Sequence, residues 1–188
     1  MSKIFSWISQ RVGLLTFTVL EFLALVLWQP RFTSAPVAAA IILTVGLFLE
    51  HIVSFNSFKG ETNFLKLFKP HKVNAGKLLA LSGLEMGIWA AWLGLVLLGH
   101  PILAFVVLFA LMFVQHNAEV DTFLGRGAFN SLLNTRVSLF TLLEAVAGAV
   151  WLQLIMVGET ALAAIVLFVG LLAEHHEQGE VLKDEAAV

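Results

Sequence analysis

Ala39–His51 reads AAIILTVGLFLEH and Ala163–His175 reads AAIVLFVGLLAEH, two apolar stretches that agree at nine of thirteen positions and both close on Glu-His. A third stretch ends in the related Leu111-Met112-Phe113-Val114-Gln115-His116. Internal repetition of this kind governs the reading of a fold before any single motif does. The stretches that precede these three are related as well. Each carries Leu-Glu with Trp seven residues later: Leu20-Glu21 and Trp28, Leu84-Glu85 and Trp92, Leu143-Glu144 and Trp151.

The interval from Glu to His is nearly constant, 30 residues from Glu21 to His51 and 31 from Glu85 to His116 and from Glu144 to His175. A basic residue (Arg11, Lys77 or Arg136) opens each of the odd-numbered stretches, and Phe64-Leu65 and Phe123-Leu124 precede the second and third at matching distances. The chain therefore reads as three tandem two-helix repeats, with repeat 1 over residues 1–55, repeat 2 over 60–120 and repeat 3 over 121–178. Residues 179–188 form a polar cytoplasmic tail that this reading leaves mobile. A pseudo-threefold bundle of hairpins is the simplest packing of such a pattern.

Composition fixes the solvent. Of the 188 residues, 59% are hydrophobic and only 13% charged, about half the charged share of an average soluble domain. The mean hydropathy is +0.91. One core cannot hide that much apolar surface, so lipid must cover the remainder. The sequence thus predicts an all-α integral membrane protein with six transmembrane helices, near Val12–Gln29, Ala35–Val53, Leu78–Leu98, Pro101–Gln115, Val137–Val157 and Ala161–Ala173. The fourth and sixth are short and are expected to continue as helix past their polar ends. Lys3 and Arg11 before an apolar run imitate a secretory signal, with Thr33-Ser34-Ala35 as a cleavage site. Glu21 in mid-span, and the need for this helix as half of a repeat, argue that it stays.

Ten of the eleven Lys and Arg residues lie at the termini or in the long connections Ser54–Lys77 and Asn117–Arg136, and Arg31 alone lies beside a short turn. The positive-inside rule then places both termini on the cytoplasmic side of a cell (inner) membrane. The net charge of -2 gives no reason to expect a nucleic-acid partner. With no Cys and no Tyr, disulfides, thiolate ligands and tyrosyl chemistry are excluded.

Helical rise places the chemistry. Each repeat Glu and His lies about 15 residues from its outer turn, roughly 22 Å at 1.5 Å per residue. In a hydrocarbon core about 30 Å thick that is the cytoplasmic third. Glu21, Glu85, Glu144, His51, His116 and His175 are expected to share this layer. Glu50, Gln115 and Glu174, adjacent to the histidines, reach it from another direction. Such groups cost about 2.5–3.5 kcal/mol each inside a membrane, so they need a compensating interaction.

Pairing of His with Glu as a structural link between helices would explain the burial, but not why the pair recurs three times. Imidazoles and carboxylates without thiolate suit iron, manganese or zinc. The count resembles that of dinuclear carboxylate centres in helical bundles, although their Glu-x-x-His spacing is absent. Metal is therefore expected on Glu21, His51, Glu85, His116, Glu144 and His175, as one or two ions. Glu50 and Glu174 are left as general bases of an enzyme acting on a lipid-soluble substrate. The alternative is a small proton- or cation-coupled transporter using the same Glu/His layer. Two axial histidines for haem would leave the carboxylates unexplained. Gly83-x-x-x-Gly87 is expected to mark close helix packing, and Trp28, Trp92 and Trp151 are expected to pack. His71, in the Lys-rich loop, and His100, at an outer turn, stand apart from the layer.

Overall fold

The structure, a computed structural model, describes residues 3–61, 63–69, 74–127 and 135–187, with side chains from residue 11 onward. The described residues form seven α-helices and no strand. These are α1 (Lys3–Trp28), α2 (Pro36–Phe58), α3 (Phe64–Leu67), α4 (Ala75–Leu97), α5 (Pro101–Phe123), α6 (Thr135–Met156) and α7 (Thr160–Ala186). All but α3 are long and apolar enough to cross a membrane. Helix is what a lipid environment demands, because each peptide N–H and C=O must find its partner within the segment.

The apolar faces point outward. On α1, Leu15, Val19, Leu23 and Leu27 recur every four residues and are exposed, whereas Thr18, Glu21 and Leu25 are buried. On α2 the exposed set is Val37, Ile41 and Val45, and Glu50 and His51 are buried. Exposed apolar stripes over a polar interior indicate a bilayer environment and a multi-pass protein.

The polar ends do continue as helix, further than the apolar runs require. α2 extends to Phe58, α5 to Phe123 and α7 to Ala186. On α5 the extension is buried throughout Asn117–Asp121, so packing sustains the helix beyond the last apolar turn. The residues expected to form a mobile tail are likewise helical, with Val181 and Leu182 buried. Arg126 Nη1 holds Glu185 Oε2 at 2.9 Å, and Arg136 Nη1 holds Asp184 Oδ2 at 2.7 Å. The correction has a simple cause: a composition that looks solvent-exposed still carries apolar residues at helical spacing.

The chain divides into two compact units, Met1–Gly83 and Leu84–Val188, the division falling within α4. In the first, α1 and α2 form an antiparallel hairpin around a 3-10 turn, Gln29–Arg31. Phe17, Val53 and Leu67 pack together at its polar end. Asn56 Nδ2 donates to the carbonyls of Leu67 and Lys69, both at 2.8 Å, which anchors α3. In the second unit α7 packs along α6, and α5 along α6. The turns before α5 and α7 close on Gly99 (φ 84°) and Gly158 (φ 87°), left-handed positions at a helix end that suit glycine.

Small residues set how closely the two helices approach within the α1/α2 and α6/α7 hairpins. A Cβ on Gly46 would lie 3.4 Å from Ala24 Cα and 3.8 Å from Leu20 O. One on Gly170 would lie 3.5 Å from Ala147 Cα and 3.9 Å from Leu143 O. In α4 and α5 the corresponding positions hold Ile88 and Leu111. Gly83 and Gly87 meet nothing within 4 Å, so the expected close contact at that motif is not made there. The Phe-Leu pairs also diverge, Phe64 and Leu65 opening α3 and Phe123 ending α5. His71 lies outside the described residues.

Candidate metal centre

The small-residue contacts fix the depth of the polar groups in each hairpin. Gly46 faces Ala24, so Glu21, three residues before Ala24, stands level with Leu49, next to Glu50 and His51. Gly170 faces Ala147, so Glu144 stands level with Ala173, next to Glu174 and His175. Within each of these two hairpins the repeat Glu and the Glu-His pair thus stand at one level along the paired helices. All eight expected site residues are buried, none more than 5% exposed, and of these Glu21, Glu85, Glu144, Glu174 and His175 belong to groups that could hold a metal ion.

In the second unit α4, α5 and α6 bring three of them together. A carboxylate oxygen of Glu85 lies within 4.8 Å of one from Glu144. His116 Nε2 lies 3.1 Å from Glu144 Oε2. On its other side, His116 Nδ1 is 2.9 Å from Thr141 Oγ1, and the ring leans on Phe140 with centroids 4.8 Å apart. Gln115 Nε2 donates to Glu85 Oε2 at 3.5 Å and to Glu119 Oε2 at 3.4 Å. Among the described residues Gln115 Oε1, fully buried, has no hydrogen-bond partner. From α7, His175 Nε2 meets its neighbour Glu174 Oε2 at 3.1 Å.

In the first unit His51 Nδ1 lies 2.7 Å from Leu47 O, 3.1 Å from Glu50 Oε2 and 3.3 Å from Ser82 Oγ. Leu47 O can only accept, so Nδ1 carries the proton and the neutral ring keeps its lone pair on Nε2. The two adjacent Glu-His pairs thus differ, Nδ1 facing the carboxylate at His51 and Nε2 at His175.

Charge balance restricts what this arrangement can be. The second unit buries Glu85, Glu144 and Glu174 as well as His116 and His175, and no Lys or Arg is among the buried described residues. Two ionised carboxylates this close, out of water, require a shared proton or a cation.

The sequence reading did not single out Thr141 and Ser82 against the imidazoles, or Glu119 beneath Gln115. The signal for the hydroxyls was present: each stands three residues before a repeat Glu, as Thr18 stands before Glu21. Trp28, Trp92 and Trp151 are buried as packing residues, and Trp89, also not singled out, lies against Gly148. His100 is exposed at the start of α5, away from these groups. No family model matches the chain, and no curated protein or solved structure is significantly similar to it.

Proposed function

We propose that this protein binds transition metal inside the membrane and uses it as an enzyme on a lipid-soluble substrate. Glu85, Glu144 and His116 form the nucleus of the centre. By the threefold sequence repeat, Glu21, His51 and His175 are assigned as metal ligands as well. One or two ions of iron, manganese or zinc suit these nitrogen and oxygen donors. The observation that carries the reading is a buried pair of carboxylates within 4.8 Å of each other, with an imidazole nitrogen 3.1 Å from one of them. Donor atoms 3.1 Å apart, each about 2.1 Å from one ion, subtend about 95° at it, a separation that needs little rearrangement.

A bound ion supplies Lewis acidity, a nucleophilic water or, for iron and manganese, redox chemistry. The reaction is accordingly hydrolytic or oxidative. Glu50 and Glu174, beside their histidines, take the part of general bases. Burial of these groups between apolar membrane-length helices supports a lipid-soluble substrate.

Purified protein tests this directly by elemental analysis together with an absorption spectrum. At least one equivalent of iron, manganese or zinc is expected, and it should be lost in Glu85→Ala and His116→Ala variants that still fold. Metal-free protein that takes up none of the three metals on titration ends the proposal. The close approach of the two carboxylates would then be met by a shared proton. The second reading, proton coupling through the same glutamates and histidines, would next be tested with a pH-sensitive dye in liposomes.

A further inference from the structure

Two imidazoles, one in each unit, are held by a hydroxyl in the same manner. Ser82 Oγ donates to Leu78 O at 2.8 Å, and Thr141 Oγ1 donates to Val137 O at 2.9 Å. A hydroxyl has one proton. With that proton committed to the carbonyl four residues back, Ser82 and Thr141 present only lone pairs to the ring nitrogens beside them. His51 Nδ1, 3.3 Å from Ser82 Oγ, and His116 Nδ1, 2.9 Å from Thr141 Oγ1, must therefore be the donors. We propose that Thr141 is a positioning residue that keeps the proton of His116 on Nδ1 and so presents Nε2 to the metal, and that Ser82 supports the same arrangement at His51, where the Leu47 carbonyl already holds the proton on Nδ1.

Back-bonded hydroxyls are common in membrane helices and mean nothing alone. Thr16, for example, donates to Val12 O at 2.7 Å in an exposed setting. What distinguishes Ser82 and Thr141 is the imidazole that each also meets, and the position they share. The pattern hydroxyl-x-Leu-Glu occurs at Thr18-Val19-Leu20-Glu21, Ser82-Gly83-Leu84-Glu85 and Thr141-Leu142-Leu143-Glu144. Thr18 is fully buried and donates to Leu14 O at 2.8 Å, so its oxygen too is left as an acceptor. Valine or alanine would fill the same space, so packing alone does not call for a hydroxyl at all three places.

The two histidines differ in how much they depend on it. His51 Nδ1–H lies closer to Leu47 O, at 2.7 Å, than to Ser82 Oγ, at 3.3 Å, whereas His116 Nδ1 lies 2.9 Å from Thr141 Oγ1. Thr141 is therefore the more sensitive position. Partners that orient a ligating imidazole typically account for about 10- to 100-fold in metal affinity.

This inference rests on the metal reading of the site, and its test separates the two. Full-length protein labelled with 15N-histidine in detergent micelles reports each tautomer through its nitrogen-proton couplings, without metal. Native protein and Thr141→Ser should hold His116 in the Nδ1–H form. Thr141→Val should move the proton to Nε2, where it donates to Glu144, and should weaken Zn2+ binding by about 10- to 100-fold. Ser82→Ala should leave the His51 tautomer unchanged and weaken Zn2+ by less than about tenfold. A Thr141→Val protein that keeps the Nδ1–H pattern, or a Thr141→Ser protein that loses it, overturns the assignment. If the tautomer responds while native protein binds no Zn2+, positioning stands and the metal reading falls.

Discussion

Glu144→Gln should raise the stability of the metal-free protein while weakening its hold on metal. A carboxylate oxygen of Glu144 lies within 4.8 Å of one from Glu85, both residues being no more than 5% exposed. Two unit charges at that separation, with an effective dielectric constant of about 20, repel by at least about 3.5 kcal/mol. The escape is to hold one carboxyl protonated, which at pH 7 costs an ordinary glutamic acid about 3.7 kcal/mol. Either way the metal-free site carries between about 3 and 4 kcal/mol of unfavourable energy that a neutral side chain removes. Glutamine keeps the shape, and its amide can donate to the His116 Nε2 lone pair in place of the present 3.1 Å contact. For a chain of this length the gain corresponds to a rise of about 10 °C in melting temperature. Thermal unfolding in detergent with a chelator measures it. Repeating the melt with saturating Zn2+ should show the opposite order, because the native protein alone keeps both charged ligands and gains the full stabilisation of binding. A Glu144→Gln variant that melts lower in chelator, by the same margin as with metal, would show that Glu144 only ties helices together.

Three further outcomes follow from the same geometry. Gly170→Val forces a side chain against Ala147 and should cost about 3 kcal/mol, at the upper end for overpacking; Gly94→Val, with nothing within 4 Å, should be nearly neutral in the same unfolding assay. Zn2+ affinity measured by competition with a chelating dye should fall as pH is lowered through the ordinary imidazole range, since protons compete for both His and Glu ligands; a flat profile would point away from histidine ligation. Because the chain has no Cys, single cysteines give an unambiguous topology: Lys59→Cys should react with an impermeant thiol reagent only from the cytoplasmic side, and Glu159→Cys only from the outer side.

Hydropathy and spacing alone identify six membrane helices, because a bilayer imposes both the length and the composition of whatever crosses it. The relative level of the polar groups within a hairpin was equally legible. Rise per residue is a constant of the helix, so equal intervals from Glu to His place Glu144 level with Glu174 and His175 before any coordinates are known. Composition misled where it was treated as a proxy for order, in the last turns of α7, which stay helical because buried Val181 and Leu182 continue the packing.

Only the tertiary structure decided which groups meet within that depth. His116 touches Glu144 and Thr141 on α6, while Gln115, one residue earlier, turns to Glu85 on α4. A periodic sequence fixes height along a helix axis but leaves open which neighbour each face is turned toward. That depends on how closely the helices pack, and here on small residues such as Ala147 and Gly170, whose contact can be seen only once both helices are in place.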